Sequence, residues 1–156
     1  MIKKIIVSVF IATLFIGCCI AQPPTAGCYI VNNNLDKFIG TWKWTSGSDE
    51  IVFKLGKFRH TVVDYDEDVL LGTHSYVQNG QLIESTLNRF DNLSNRHKDR
   101  SIYLSNDPII SINRVQGALK DASKNKDVEI VVEYVLVASP EQIIASLSYK
   151  HQTLTK

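Results

Sequence analysis

The stretch Leu35-Asp36-Lys37-Phe38-Ile39-Gly40-Thr41-Trp42-Lys43-Trp44-Thr45 carries two periods, one after the other. Leu35, Phe38 and Ile39 stand at i, i+3 and i+4, the apolar spacing of one helix face, and Asn34 before them can cap it. Gly40 breaks that pattern. From Thr41 the spacing falls to two, which puts Trp42 and Trp44 on one face of a strand. The reading is a short helix that hands over to a β-sheet through a glycine.

Downstream, every segment reads as strand or turn. Ser46-Gly47-Ser48-Asp49 is a turn, and Glu50 to Leu55 places Ile51, Phe53 and Leu55 on one face. Gly56-Lys57 reads as a tight hairpin before a strand through Phe58, His60 and Val62. Asp64-Tyr65-Asp66-Glu67-Asp68 is a turn or strand edge, and Val69 to Val77 is a long strand. Asn79-Gly80 is the strongest hairpin signal, with Gln81 to Leu87 returning. Residues 88–100 are polar and read as a loop with a helical turn. Ser101–Leu104, Ile109–Val115, Val128–Val137 and Ile143–Tyr149 complete about nine strands, with a solvated turn at Lys120–Lys126. Short turns without βαβ alternation predict an all-β antiparallel meander, closed into a β-barrel or folded as a strongly bent sandwich.

Upstream lies a different kind of segment. Lys3 and Lys4 precede the apolar run Ile5 to Ile16 (IIVSVFIATLFI), which falls short of the roughly 20 residues that span a bilayer and matches a secretory signal peptide. Cleavage after Ala21 leaves Gln22 as the first mature residue. A competing reading is a lipobox at Leu14-Phe15-Ile16-Gly17-Cys18, with Cys18 lipidated. The expected organisation is a signal peptide at 1–21, a flexible arm at 22–34 and one β domain at 35–156. Export to the periplasm, the outer-membrane surface or the medium follows. Cleavage at Ala21 leaves Cys28 as the sole cysteine, so no internal disulfide is expected.

Composition narrows the function classes. The chain of 156 residues is 44% apolar and 21% charged, with 17 Lys and Arg against 16 Asp and Glu. That is a globular balance with no field directed at nucleic acid.

The opening Gly40-Thr41-Trp42, preceded by a short helix, resembles that of lipocalins and fatty-acid-binding proteins. More of the chain is similar to a family of exported bacterial proteins of unknown function, common in Bacteroidota, that look like lipocalin relatives. The matching residues are Ala21-Gln22, Gly40-Thr41-Trp42, and Gly72-Thr73-His74-Ser75-Tyr76 followed by Asn79-Gly80. The resemblance implies a lipocalin-like barrel whose helix plugs one end, with Gly40 making the close turn and Trp42 packing across the base. Lipocalins stack an Arg of the last strand over this Trp; the candidates here are Lys150 and Arg114.

Several constellations compete for a function. Asp64, Asp66 and Asp68 have the spacing that opens a calcium loop, but Val69 and Ser75 stand where its Gly and Glu belong. His60 and His74, on consecutive strands, could pair across the sheet and join Asp64 or Asp66 in a metal site, although no third ligand stands at a fixed spacing. Ser123-x-x-Lys126 lies in a polar turn with nothing to desolvate the lysine. Arg89, Arg96, His97, Lys98 and Arg100 make a local basic patch with one aromatic, Phe90, which reads first as a solvated loop and only secondarily as a site that attracts carboxylates or lipid headgroups at a barrel mouth. No cofactor, metal or catalytic set is expected, and an enzyme is not the favoured reading. Trp44, Phe53, Phe58, His60, Tyr76 and Tyr134 are the candidate pocket lining. The favoured function is binding of a small apolar or amphipathic molecule, with membrane association only through a lipid anchor. The alternative is a cell-envelope interaction module with a solid barrel, whose loop 88–100 recognises a protein partner.

Overall fold

The computed structural model describes residues 24–94, 96–106, 111–136 and 141–149. The strands are β1 (Tyr29–Ile30), β2 (Gly40–Ser46), β3 (Asp49–Val62), β4 (Tyr65–Gln78), β5 (Gln81–Ser85), β6 (Ile102–Ser105), β7 (Arg114–Asp121), β8 (Lys126–Val135) and β9 (Gln142–Tyr149). Short 3₁₀ segments cover Asn33–Phe38, Leu87–Asn92 and His97–Asp99. The strand order is β2-β3-β4-β6-β7-β8-β9, with β1 and β5 also paired to β4. The sheet curls into a nearly closed barrel, which decides against the sandwich. All pairs are antiparallel except β1 on β4.

The interior is built in rings. Leu55, Gly72, Ile102, Leu119 and Val128 are successive cross-strand neighbours, and so are Leu70, Leu104, Gly117, Ile130 and Leu147 in the next ring. Most of these side chains are fully buried, and Leu35 and Phe38 of the first 3₁₀ segment join the same cluster as an end plug. The plug begins two residues earlier than its apolar spacing suggests, because Asn32 caps it: its side chain accepts from the Asn34 amide at 3.1 Å. Gly40 follows at φ 139°, a conformation that other residues rarely adopt.

A second cluster sits on the outer surface. Val69, Leu71 and Leu93 are fully buried there, with Phe58, Phe90 and Tyr103 packed around them. The expected helical turn is present as the 3₁₀ segments Leu87–Asn92 and His97–Asp99, and because Leu93 is driven inward the described part of segment 88–100 is a lid over an apolar patch.

Three element boundaries differ from expectation. Gly56-Lys57 is no hairpin; β3 runs through it, and the turn comes at Val63-Asp64. A Cβ at Gly56 would lie 2.9 Å from the Phe58 ring and 3.1 Å from that of Phe90, so this glycine makes room for rings. The carboxylate run from Asp66 to Asp68 belongs to β4, and β7 covers 114–121 where a strand at 109–115 was expected. Part of the N-terminal arm is docked: Tyr29 and Ile30 pair with Asp66 and Glu67. Asp68 accepts from the Tyr29 hydroxyl at 2.5 Å and from the Asn32 amide at 2.9 Å. The proposed leader, Cys18 and Lys150 lie outside the described residues.

Candidate functional site

The barrel's two end strands, β2 and β9, are not paired with each other among the described residues, which leaves a seam. Alternation along β2 turns Trp42 and Trp44 to the side that carries Phe53 and Ile51 of β3, their direct cross-strand partners. On β9, Ile143, Ala145 and Leu147 face the same interior as Tyr134, Val132 and Ile130 of β8. These two apolar rows border a cleft of about 690 Å³, with Lys43, Glu141 and Gln142 supplying its polar groups. Phe53 is 6% exposed and anchors the floor, whereas Trp44 is 53% and Leu147 51% exposed. An apolar concavity with a few polar groups has the usual make-up of a small-molecule site, and large side chains left in water favour covering it.

The cleft is closed toward the plug by aromatic rings. Trp42 donates from Nε1 to the Phe38 carbonyl at 2.8 Å. The Tyr134 ring stands edge-on to Trp42 at 6.5 Å and to Phe38 at 6.1 Å. The Tyr134 hydroxyl donates to Glu141 at 2.9 Å, a bond that raises its pKa above the ordinary tyrosine value. Tyr134 thus covers Trp42, while Arg114 lies 3.9 Å from Glu133.

Of the residues expected to line a pocket, Trp44 and Phe53 border the cleft and Tyr134 stands at its closed end. Tyr76 shares a face with Ile51 but is not on the cleft wall. Phe58 and His60 point the other way. Phe58 packs against Phe90 and His97 at ring distances of 6.4 and 5.9 Å, and His60 faces Tyr103 at 5.8 Å and His97 at 6.1 Å. His60 is paired with Glu67 and His74 with Phe53, so the two histidines are far apart in register and share no site. No group of three or more His, Cys, Asp or Glu among the described residues is placed to hold a metal. Asp66 is engaged by Arg59, and Asp68 by Tyr29 and Asn32.

Sequence reading missed a buried polar relay. His74 Nδ1 lies 2.8 Å from the Ser101 hydroxyl, which lies 2.9 Å from that of Thr86. Thr86 Oγ1 accepts from the His74 amide at 2.9 Å. His74 Nε2 is 3.6 Å from Glu84. Burial pushes the His74 pKa below the ordinary value, and the carboxylates of Glu84 and Asp121 only partly oppose it. The three members are spread over residues 74–101, so no local motif announces them.

A family model described as a family of unknown function (DUF6705) matches residues 2–156, and the chain belongs to that family. No curated protein and no solved structure matches it.

Proposed function

We propose that this chain is an exported, non-enzymatic carrier of a small apolar or amphipathic molecule, held in the cleft between β2 and β9. One observation carries the reading: an apolar cleft of about 690 Å³ at the barrel seam, with half-exposed Trp44 and Leu147 on its walls. The volume falls within the usual range for small-ligand pockets. Export rests on the signal-like residues 1–21.

The chain has two tryptophans, and both border the cleft. Intrinsic fluorescence therefore reports on this site directly. The neutral apolar dye N-phenyl-1-naphthylamine, titrated into the mature protein, should accept energy from the tryptophans in a saturable way and be displaced by long-chain fatty acids. Native mass spectrometry of protein recovered from its own source should show extra mass that is lost on denaturation. Absence of saturable dye binding together with a bare native mass overturns the reading.

A further inference from the structure

A second cleft, of about 300 Å³, lies near the middle of the strand order and away from the seam. Its walls come from the end of β5, the lid segment and the β7–β8 turn. Four cations line it: Arg89, Lys98, Arg100 and Lys120. Ser101 and Thr86 also line it, with their hydroxyls engaged in the buried relay to His74.

Four like charges around one small concavity repel each other unless an anion offsets them. Glu84, the carboxylate on the wall, offsets one of the four, which leaves the lining at +3 (four cations less one carboxylate), and its position is fixed by other bonds. Its Oε1 accepts from the Ala122 amide and its Oε2 from the Ser123 amide, both at 3.1 Å, so it holds the β7–β8 turn in place. Asp121 beside it accepts from the Ser123 hydroxyl and the Lys124 amide at 2.6 and 3.0 Å and pairs with Lys124 at 3.3 Å. Arg100 is oriented by a 2.8 Å bond to the His97 carbonyl and by its position over the Tyr103 ring, at 5.3 Å. Among the described residues, no carboxylate pairs with Arg89, Lys98 or Lys120.

The geometry points to a site for a compact oxyanion of the phosphate type. Arginine forks and lysine point charges recognise phosphate oxygens. The cleft suits a headgroup and is too small for a long apolar chain. Phosphate could arrive as a soluble phosphomonoester or as a lipid headgroup.

The test uses the full mature chain. Inorganic phosphate and glycerol 3-phosphate are titrated calorimetrically, and flotation is measured with phosphatidylcholine vesicles lacking or containing phosphatidylglycerol. The expected result is binding that weakens as salt rises. It should weaken about tenfold in Lys120→Gln and further when Lys98→Gln is added, since each removes a charge-assisted contact. All of these side chains are exposed, so the variants should keep the wild-type circular dichroism, and Arg89→Gln provides an independent third probe. Binding of the soluble phosphates identifies a free anion, whereas flotation only with phosphatidylglycerol identifies a headgroup. The inference fails if neither binds, or if binding survives unchanged in the triple variant.

Discussion

The Trp42 indole donates to the Phe38 main-chain carbonyl at 2.8 Å, tying the end plug to the first barrel strand. Phe38 is fully buried, and Tyr134 closes over both rings. Two tryptophans separated by one residue therefore have different roles: Trp42 closes the base, while Trp44 stands half in water. Trp42→Phe should cost about 2 kcal/mol, because it leaves the Phe38 carbonyl without that donor and trims a packed ring. Trp44→Phe should stay within about 0.5 kcal/mol, as exposed substitutions usually do. Urea unfolding reports both, since each variant retains one tryptophan. Equal costs would contradict the division.

The lid over the outer surface gives a second measurable contrast. Leu93 is fully buried with Val69 and Leu71 although it comes from a polar segment. Leu93→Ala should cost about 2–5 kcal/mol through lost burial and the cavity left behind. Leu82→Ala, on β5 and 64% exposed, should fall within about 0.5 kcal/mol. If Leu93→Ala were equally mild, segment 88–100 would be a loose loop.

What could be read from the residues was local. The helix-to-strand handover at Gly40, the paired tryptophans and the Asn79-Gly80 turn are each set by neighbours in sequence, and the structure has all three. Non-local packing set the rest. Gly56 looked like a turn residue, but its missing side chain accommodates the rings of Phe58 and Phe90, and Phe90 is far away in sequence. Gly117 lies within β7, beyond the end of the strand expected at 109–115. A Cβ there would fall 2.0 Å from the Tyr103 carbonyl oxygen, so β6 and β7 could not approach as they do. The cleft was legible only in part. Trp44 and Phe53 announced an apolar face, whereas the β9 wall and the unpaired seam depend on how the barrel closes. The outward turn of Phe58 and His60 follows from the same run-through of β3, because no hairpin at Gly56 resets their alternation.

Acid should loosen this fold before it reaches the carboxylate range. Burial holds the His74 ring neutral in the folded state, with its pKa below the ordinary 6.5. His97 shifts the same way, first through burial and then through His60 and Arg100. The unfolded chain therefore binds more protons over this window. The stabilisation is complete above pH 6.5 and is lost as pH falls through the lowered folded values. Asp66, whose pKa is lowered by hydrogen bonds from Thr61 and Arg59, adds a separate loss below its ordinary 3.8. Urea midpoints should decline from neutral pH toward about pH 5, with a shallower decline in His74→Asn. A slope unchanged by that substitution would remove His74 as the source.

Filling the seam separates ligand binding from folding. Ala145 lies on β9 between Ile143 and Leu147 and faces the cleft, but it is exposed, so a larger side chain there displaces water and meets no packed core. Ala145→Trp should occupy much of the space opposite Trp44 and leave the urea midpoint nearly unchanged. Dye affinity should fall at least about tenfold, the equivalent of about 1.4 kcal/mol. The outer lid and the phosphate-type cleft, reached from other strands, should be unaffected, so phosphate titration is an internal control. Loss of dye binding with stability and phosphate response intact assigns the ligand to the seam. Undiminished dye binding in this variant would move the ligand elsewhere on the barrel and leave Trp44 an exposed ring without that role.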